Sequence, residues 1–131
     1  MIPKFRAWDK YLKEMVQVNA LVLDEQVIKV TYKNGNIAKE DVKEYVLMQS
    51  TGLKDKNGKE IFEGDIVRMR NPRDRRQIGM FQVVRVANSP MLGLLDKKLT
   101  TEIFNLYEHM RNYYEIIGNI HENPELLEVT K

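Results

Sequence analysis

The sequence predicts a mainly β fold, a small barrel or sandwich of short antiparallel strands with a short C-terminal helical turn. Two observations support this. Short runs of residues alternate between apolar and polar side chains, and Gly, Asn, Asp or Pro interrupts those runs at frequent intervals. At 131 residues, 43% of them hydrophobic, the chain is long enough to bury a core, so we expect a single domain over residues 1–131.

In the first half of the chain, β-branched and alternating segments predict four strands. These are Lys4–Trp8, Met15–Leu23, Val27–Tyr32 and Val42–Gln49. The segment Ser50–Lys54 is expected to end the fourth strand. The dipeptides Asn34-Gly35 and Asn57-Gly58 each predict a hairpin with a type I′ turn, because both central residues of that turn need positive φ.

The second half continues the same pattern with shorter segments. Predicted strands cover Ile61-Phe62, the segment from Ile66, Ile78–Val86 and Tyr113–Ile120, and Met91–Leu95 is a shorter apolar segment. Asn71–Arg76 is a polar loop, Asn88-Ser89-Pro90 is a break, and Glu102–Tyr107 fits either a strand or a helical turn. Gly118 predicts a bulge or a close backbone approach. Asn123 and Pro124 predict a helical turn that ends near Glu128.

Composition narrows the classes of function. The chain has no cysteine, which excludes disulfides, thiolate nucleophiles and cysteine-bound zinc. It has no run near the roughly 20 apolar residues of a membrane helix, so we expect a cytoplasmic protein that does not bind membranes. The net charge of +2 is too small to indicate nucleic-acid binding, which must rest on local clustering.

No catalytic or cofactor motif is present. Phosphate-binding glycine loops and nucleophile elbows are absent from the sequence, and His109 lies in a polar stretch typical of an exposed side chain. A metal site built from Glu115, His121, Glu122 and Glu125 is disfavoured, because Pro124 interrupts any helix that would align His121 with Glu125. We therefore expect no enzymatic activity, no cofactor and no metal.

Arginines cluster in the stretch "RMRNPRDRRQ", which contains Arg68, Arg70, Arg73, Arg75 and Arg76 against the single Asp74. Strand alternation would place Arg68 and Arg70 on one face, and guanidinium groups form forked bonds to phosphate. The cluster is thus a candidate contact for phosphate or nucleic acid. The alternatives are a solvated hairpin tip and a contact with acidic groups of a protein partner or another subunit. Trp8, Tyr11 and Tyr107 are candidate stacking surfaces for bases.

Three motifs carry a resemblance to a known family. They are "FRAWD" at residues 5–9, "LMQSTGLKDKNGKEIFEGDIV" at residues 47–67 and "YEIIGNIHENPELL" at residues 114–127. In content and order they resemble YopX proteins, which temperate phages and prophages of Gram-positive bacteria encode. The resemblance implies a mainly β fold and a phage or prophage origin, and it implies no established activity or catalytic residue.

The expected function is a non-enzymatic binding or assembly module. We expect a homo-oligomer that contacts a phage or host protein, with nucleic-acid binding through residues 68–76 as the alternative. The motif residues themselves fit a structural role. Gly52, Gly58 and Gly64 suit unusual backbone angles, and Asp55, Asn57 and Asp65 suit turns in which side chains bond to backbone N–H groups.

Overall fold

The computed structural model describes residues 4–85, 92–95 and 103–127, and these residues form two antiparallel sheets with isolated 3-10 turns. The prediction of a mainly β fold is confirmed. Contacts within the chain divide it into two compact units, Met1–Ser50 and Thr51–Lys131. The single domain over residues 1–131 stays a prediction. Within the described part of the chain, no helix has the length and apolar content needed to cross a membrane.

The first unit is an antiparallel sheet in which β1 to β4 lie beside one another in chain order and β5 pairs with β1. Its strands are β1 (Phe5–Asp9), β2 (Glu14–Val22), β3 (Val27–Thr31), β4 (Ile37–Asp41) and the first part of β5 (Tyr45–Lys54). They lie in the order β4-β3-β2-β1-β5, and a 3-10 turn at Val42–Glu44 precedes β5. The core of this unit contains Ala7, Val16, Ile28, Val30 and Tyr45.

The second unit contains the end of β5 and the remaining strands. These are β6 (Glu60–Phe62), β7 (Asp65–Arg70), β8 (Ile78–Arg85), β9 (Leu92–Leu95), β10 (Ile103–Asn105) and β11 (Tyr114–Asn119). β6 lies beside β5, and the other strands form a sheet in the order β10-β9-β8-β7-β11. The 3-10 turns of this unit are Arg75–Gln77, Glu108–Tyr113 and Pro124–Leu127. The core contains Ile61, Val67, Met69, Phe81, Val83, Leu94, Phe104 and Tyr114.

Two predictions for the middle of the chain are wrong. Ser50–Lys54 does not end the strand, because β5 continues to Lys54. There the Thr51 hydroxyl donates to the Ile61 carbonyl, and Gly52 adopts a φ of 79°. Val42 is not extended, because Asp41 caps a 3-10 turn through the Lys43 N–H. Strand β4 was not predicted because its sequence is largely polar and lacks an apolar alternation. It forms because it pairs with β3.

The C-terminal predictions are confirmed where the structure describes them. β11 contains a register shift between Ile116 and Gly118, and a Cβ atom at Gly118 would lie 2.5 Å from Asn123 Oδ1. The helical turn forms at Pro124–Leu127, and the ambiguous segment near residue 104 is a strand. The parts of the predictions that fall on Val86, Asn88-Ser89-Pro90, Met91, Glu102 and Glu128 lie outside the described residues.

The type I′ assignment of both Asn-Gly turns is wrong. Apart from glycines, the described residues with positive φ are Lys13 and Gln26, so neither Asn34 nor Asn57 has the required conformation. Gly58 N–H donates to the Asp55 carbonyl, and Asp55 N–H donates to the Lys59 carbonyl. This pattern is a type I turn followed by a left-handed glycine that forms a bulge. Only the glycine of each Asn-Gly pair therefore needs positive φ.

We expect Gly58→Val to destabilise the protein by about 1–3 kcal/mol, because a β-branched residue is strained at a φ of 82°. A Cβ atom there would have no heavy atom within 4 Å, so backbone strain is the whole effect. Gly58→Asn is the matched control, since Asn tolerates this conformation better. Urea denaturation measures both variants. Equal stability of the two would show that the backbone angle is unimportant.

Buried polar side chains hold the turns of the second unit. The fully buried Asp55 accepts from the N–H groups of Asn57 and Lys59 through Oδ1, and from the N–H of Ile116 through Oδ2, at 2.9–3.0 Å. Lys56 N–H donates to the Tyr114 carbonyl at 2.9 Å. The Asp55 carboxylate thus shapes its own turn and fastens that turn to β11.

Two further buried groups act in the same way. Asp65 Oδ2 accepts from the Phe62 N–H at 2.8 Å and closes the turn between β6 and β7. Asn119 Oδ1 accepts from the N–H groups of His121 and Glu122, at 3.0 and 2.9 Å, where the chain leaves β11. The interpretation of Asp55 and Asp65 as turn-forming residues is confirmed by these bonds.

Removal of the Asp55 carboxylate should be among the most destabilising single changes. Asp55→Ala leaves three backbone N–H groups without their acceptor, and we expect a loss of about 3–5 kcal/mol in the free energy of unfolding. Asp41→Ala is the control, because Asp41 caps one exposed turn through a single N–H, and it should cost about 1 kcal/mol. Similar losses for the two variants would contradict the role assigned to Asp55.

The first unit has a comparable anchor in Asp9. Its Oδ1 accepts from the N–H groups of Tyr11 and Leu12, at 2.9 and 3.0 Å, and its Oδ2 accepts from the Tyr32 hydroxyl at 2.7 Å. The Tyr32 and Tyr45 hydroxyl oxygens are also 2.7 Å apart. Because Tyr32 gives its proton to Asp9, Tyr45 must donate to Tyr32.

The anchor shifts the pKa values of its members in opposite directions. Burial by itself raises the pKa of Asp9, but the bonds from Leu12, Tyr32 and Tyr11 outweigh it and leave the pKa below its usual value. Burial, followed by the bonds with Tyr45 and Asp9, raises the pKa of Tyr32 far above its usual value of 10.0. The folded unit therefore favours an ionised Asp9 beside a protonated Tyr32.

These directions predict losses of stability at both extremes of pH. The contribution of Asp9 is present above its unfolded pKa of about 3.9, and it is lost as pH falls through the lower folded pKa. The contribution of Tyr32 is present below its unfolded pKa of about 10, and it is lost as pH rises through the higher folded pKa.

Thermal unfolding measured as a function of pH tests both losses of stability, which form the acid limb and the alkaline limb of the stability curve. Asp9→Asn should flatten the acid limb and Tyr32→Phe the alkaline limb, whereas Tyr11→Phe, at an exposed tyrosine, should leave both unchanged. Unaltered limbs in the first two variants would contradict this account of Asp9 and Tyr32.

Candidate functional site

The arginine cluster of the sequence lies on the hairpin formed by β7 and β8. Arg68 pairs with Met80 and Arg70 pairs with Ile78 across the two strands, so these four side chains share one face. The alternate residues Val67, Met69 and Phe81 point to the opposite face and are fully buried in the core. Arg68 and Arg70 therefore share a face, as strand alternation predicts, and Ile78 and Met80 lie beside them.

The loop at the tip of this hairpin is held by its own side chains. Asn71 N–H donates to the Gln77 carbonyl at 3.1 Å and closes the loop, and Asn71 Oδ1 accepts from the Arg73 N–H at 3.0 Å. Asp74 Oδ1 accepts from the Arg76 N–H at 2.9 Å and caps the 3-10 turn. The loop thus presents its arginines from a hydrogen-bonded frame.

Two of the five arginines are engaged within the second unit. The Arg76 guanidinium binds both carboxylate oxygens of Asp74, at 3.1 and 2.9 Å, and lies 5.6 Å from the centroid of the Phe104 ring. The bonds from the Arg76 side chain and backbone hold the pKa of Asp74 below its usual value. Arg68 lies 3.6 Å from a Glu115 oxygen, which is also 3.7 Å from Lys56 Nζ.

The remaining three arginines face solvent. Arg70, Arg73 and Arg75 are exposed, and among residues 4–85, 92–95 and 103–127 none of them has an ion pair. Of the five candidate arginines, three therefore have guanidinium groups without an ion pair among the described residues. Whether they contact phosphate stays a prediction.

None of the candidate stacking residues belongs to β7 or β8, the strands of the arginine hairpin. Trp8 is buried in β1, and Tyr11 belongs to the first unit, where it is 86% exposed. Tyr107 lies in the second unit with its ring centroid 5.3 Å from that of His109. The described outer positions of β7 and β8 carry no aromatic side chain.

Sequence reasoning missed Ile78 and Met80 as surface residues. Ile78 is 50% exposed and Met80 is 37% exposed, although both lie in a segment predicted as an apolar strand. The signal was present in the alternation, because Phe81 and Val83 supply the buried face of β8 and even-numbered residues must then face outward.

Outside the hairpin, the described residues contain one other place that could hold a ligand, an open cleft of the first unit. No group of three or more metal-binding side chains occurs within the described ranges, and Glu122 accepts from the Asn119 side chain at 2.8 Å. In the first unit, an open cleft of about 830 Å³ is lined mainly by apolar side chains. Its lining residues are Lys4, Phe5, Val18, Asn19, Ala20, Leu21, Leu23 and Leu47.

Comparison with known proteins identifies the family. A family model described as YopX protein matches residues 4–128. The chain belongs to the YopX family. It is also similar to the crystal structure of protein EF1440 from Enterococcus faecalis, at 36% sequence identity and a TM-score of 0.65, over 98% of this chain and 99% of that chain. The comparison with curated proteins finds no match.

The YopX motifs and the arginine hairpin have different roles in this chain. The motif residues Asp9, Asp55, Asp65 and Asn119 are buried and bonded to backbone N–H groups. The arginine-rich segment at residues 68–77 lies between the second and third motifs and is largely exposed. The motifs therefore account for the architecture of this YopX protein, and the hairpin is the candidate for its interactions.

Proposed function

We propose that this YopX protein is a non-enzymatic binding or assembly module that a phage or prophage encodes. It acts as a homo-oligomer in the cytoplasm of a bacterial host and contacts a phage or host protein. The resemblance of its three motifs to YopX proteins supports the proposed phage origin.

One observation carries the non-enzymatic part of the proposal. The buried polar side chains of the described residues are Asp9, Asp55, Asp65 and Asn119, and each accepts from at least one backbone N–H group. A general base or nucleophile needs a lone pair directed at substrate in a cleft. Side chains that hold turns meet a structural need instead, which supports a role that depends on surface shape and charge.

Exposed apolar side chains support the assembly part of the proposal. On the first unit, Tyr11 is 86% exposed, Leu12 is 58% exposed and Ile37 is 76% exposed. Tyr11 and Leu12 are adjacent in the turn between β1 and β2. Exposed large apolar groups are favourable contacts between subunits because association removes them from water.

Sedimentation equilibrium over a wide concentration range tests the assembly. We expect a mass above the 15.4 kDa of one chain, and a shift toward the monomer when Tyr11 and Leu12 are both replaced by Ser. Lys33→Ser, at an exposed polar residue of the same unit, is the control and should not change the mass. A monomer at every concentration would contradict assembly through self-association.

Nucleic-acid binding is the second candidate function. The observation that favours it is the presentation of Arg70, Arg73 and Arg75 on one hydrogen-bonded hairpin, exposed and without ion pairs among the described residues. Guanidinium groups bind phosphate oxygens in a forked geometry and are weakly hydrated, so three of them together suit binding to a phosphate backbone.

Fluorescence anisotropy with labelled single- and double-stranded DNA and RNA, across a salt series, tests this candidate. Replacing Arg70, Arg73 and Arg75 by Ala should weaken binding and flatten the slope of log affinity against log salt by about 2–3. The triple variant of Lys29, Lys33 and Lys39 to Ala removes the same charge from exposed positions of the first unit and is the control. Equal losses would indicate a general charge effect, and an absence of binding at low salt would reject this function.

A further inference from the structure

One face of the second unit combines exposed aliphatic side chains with arginines. We call the set Arg68, Arg70, Ile78 and Met80 the arginine–aliphatic face. Ile78 and Met80 are two residues apart on β8 and are 50% and 37% exposed, whereas Phe81 and Val83 on the opposite face are almost completely buried. Two neighbouring aliphatic groups exposed on one face of a strand are unfavourable in water and are stabilised when a partner covers them.

The apolar surface extends along the same side of the sheet. Ile103 pairs with Leu95, and Leu95 pairs with Gln82 of β8. Gln82 is two residues from Met80 on the same strand, so these side chains lie on the same side of the sheet as Met80. Ile103 is 41% exposed, while its neighbour Phe104 points into the core. The exposed aliphatic groups therefore form an interrupted strip across β8, β9 and β10.

The charge of the arginine–aliphatic face is positive. Glu115 is the acidic residue that the described strands place on this side, and it already contacts Arg68 and Lys56. Arg70 at the edge of the face, with Arg73 and Arg75 at the adjoining tip, has no acidic neighbour within ion-pair distance among the described residues. A partner that covers the aliphatic groups must therefore also supply negative charge.

These requirements discriminate between three kinds of partner. A second copy of the same face would bring arginines against arginines, and like charges across an interface are destabilising. A nucleic-acid strand would satisfy the arginines, but its phosphates cannot cover Ile78 and Met80, and the face has no aromatic side chain on which bases would stack. A protein segment with both carboxylates and apolar side chains satisfies every group.

We infer that the arginine–aliphatic face binds an acidic protein segment in which carboxylates flank apolar side chains. Arg and Met are enriched at the cores of protein interfaces, where Lys and Glu are depleted, and the composition of this face follows that preference. Arg68 already contacts Glu115, so the carboxylates of the partner are expected to bind Arg70 at the edge of the face and Arg73 and Arg75 at the adjoining tip. The inference rests on the proposed function as a binding module and names the chemistry of its partner.

A random peptide display library, selected on the immobilised full chain, tests the inference. A parallel selection uses the variant that combines Arg70→Ala, Ile78→Ser and Met80→Ser, all at exposed positions where the fold should persist. We expect sequences with two acidic residues around Leu, Ile or aromatic residues to be enriched on the wild type and not on the variant. Equal enrichment on both proteins, or enriched sequences without acidic residues, would overturn the inference.

The affinity of one selected peptide for single and double variants then separates the contribution of the arginine from that of the aliphatic side chains. Arg70→Ala and the double variant of Ile78 and Met80 to Ser should each weaken binding by about tenfold, the effect typical of an important interface contact. Lys33→Ser changes an exposed residue of the first unit that has no part in either proposed surface, and it should have no effect. Unchanged affinity in the double variant, or displacement of the peptide by single-stranded DNA at lower concentration than by unlabelled peptide, would overturn the inference.

The outcome can be distinguished from failure of the proposed function. If the selection yields no acidic, apolar peptides but the protein self-associates in sedimentation equilibrium, only the inference of an acidic partner segment is overturned. Loss of both self-association and peptide binding would overturn the binding-module function itself.

Discussion

The second unit depends on one buried carboxylate. Asp55 accepts three backbone N–H bonds, two from its own turn and one from Ile116 on β11, so the hairpin between β5 and β6 and the last strand hold each other in place. The contact at Ile116 lies next to the bulge of β11, where Gly118 allows the close approach of Asn123. β11 in turn pairs with β7, which carries Arg68 and Arg70. The buried Asp55 side chain thus holds β11, and β11 holds β7 and the arginines on it, by satisfying backbone N–H donors.

The same physical solution recurs in both units. Asp9 in the first unit and Asp65 and Asn119 in the second are buried and bonded to backbone N–H groups of adjacent turns. Short strands joined by tight turns leave many backbone donors inside the fold, and acidic or amide side chains satisfy several donors each. These residues belong to the motifs through which the chain resembles YopX proteins. The motifs therefore specify architecture, and interactions with partners fall to the surface between them.

Local sequence signals predicted the features that depend on local chemistry. Glycine at positions 58 and 118 located a turn and a bulge, and the polar loop after β7 formed as expected. Features that depend on strand pairing were not predicted from residue type: strand β4 is polar and is held by pairing with β3, and the type of the Asn-Gly turns depends on which strand residues pair. The arginine cluster was found from the sequence. The engagement of Arg68 with Glu115 and of Arg76 with Phe104 was not, because those partners are far along the chain.

The central claim is that the buried polar anchors form a fixed scaffold and that the partner contacts the arginine–aliphatic face. The most direct measurement is an NMR titration of the amide-labelled protein with a peptide that carries carboxylates around apolar residues. The account predicts shifts at Arg68, Arg70, Ile78 and Met80, with the amides bonded to Asp55 unchanged. Shifts at Phe5, Leu21 and Leu47 would instead place the ligand in the cleft of the first unit and contradict the account.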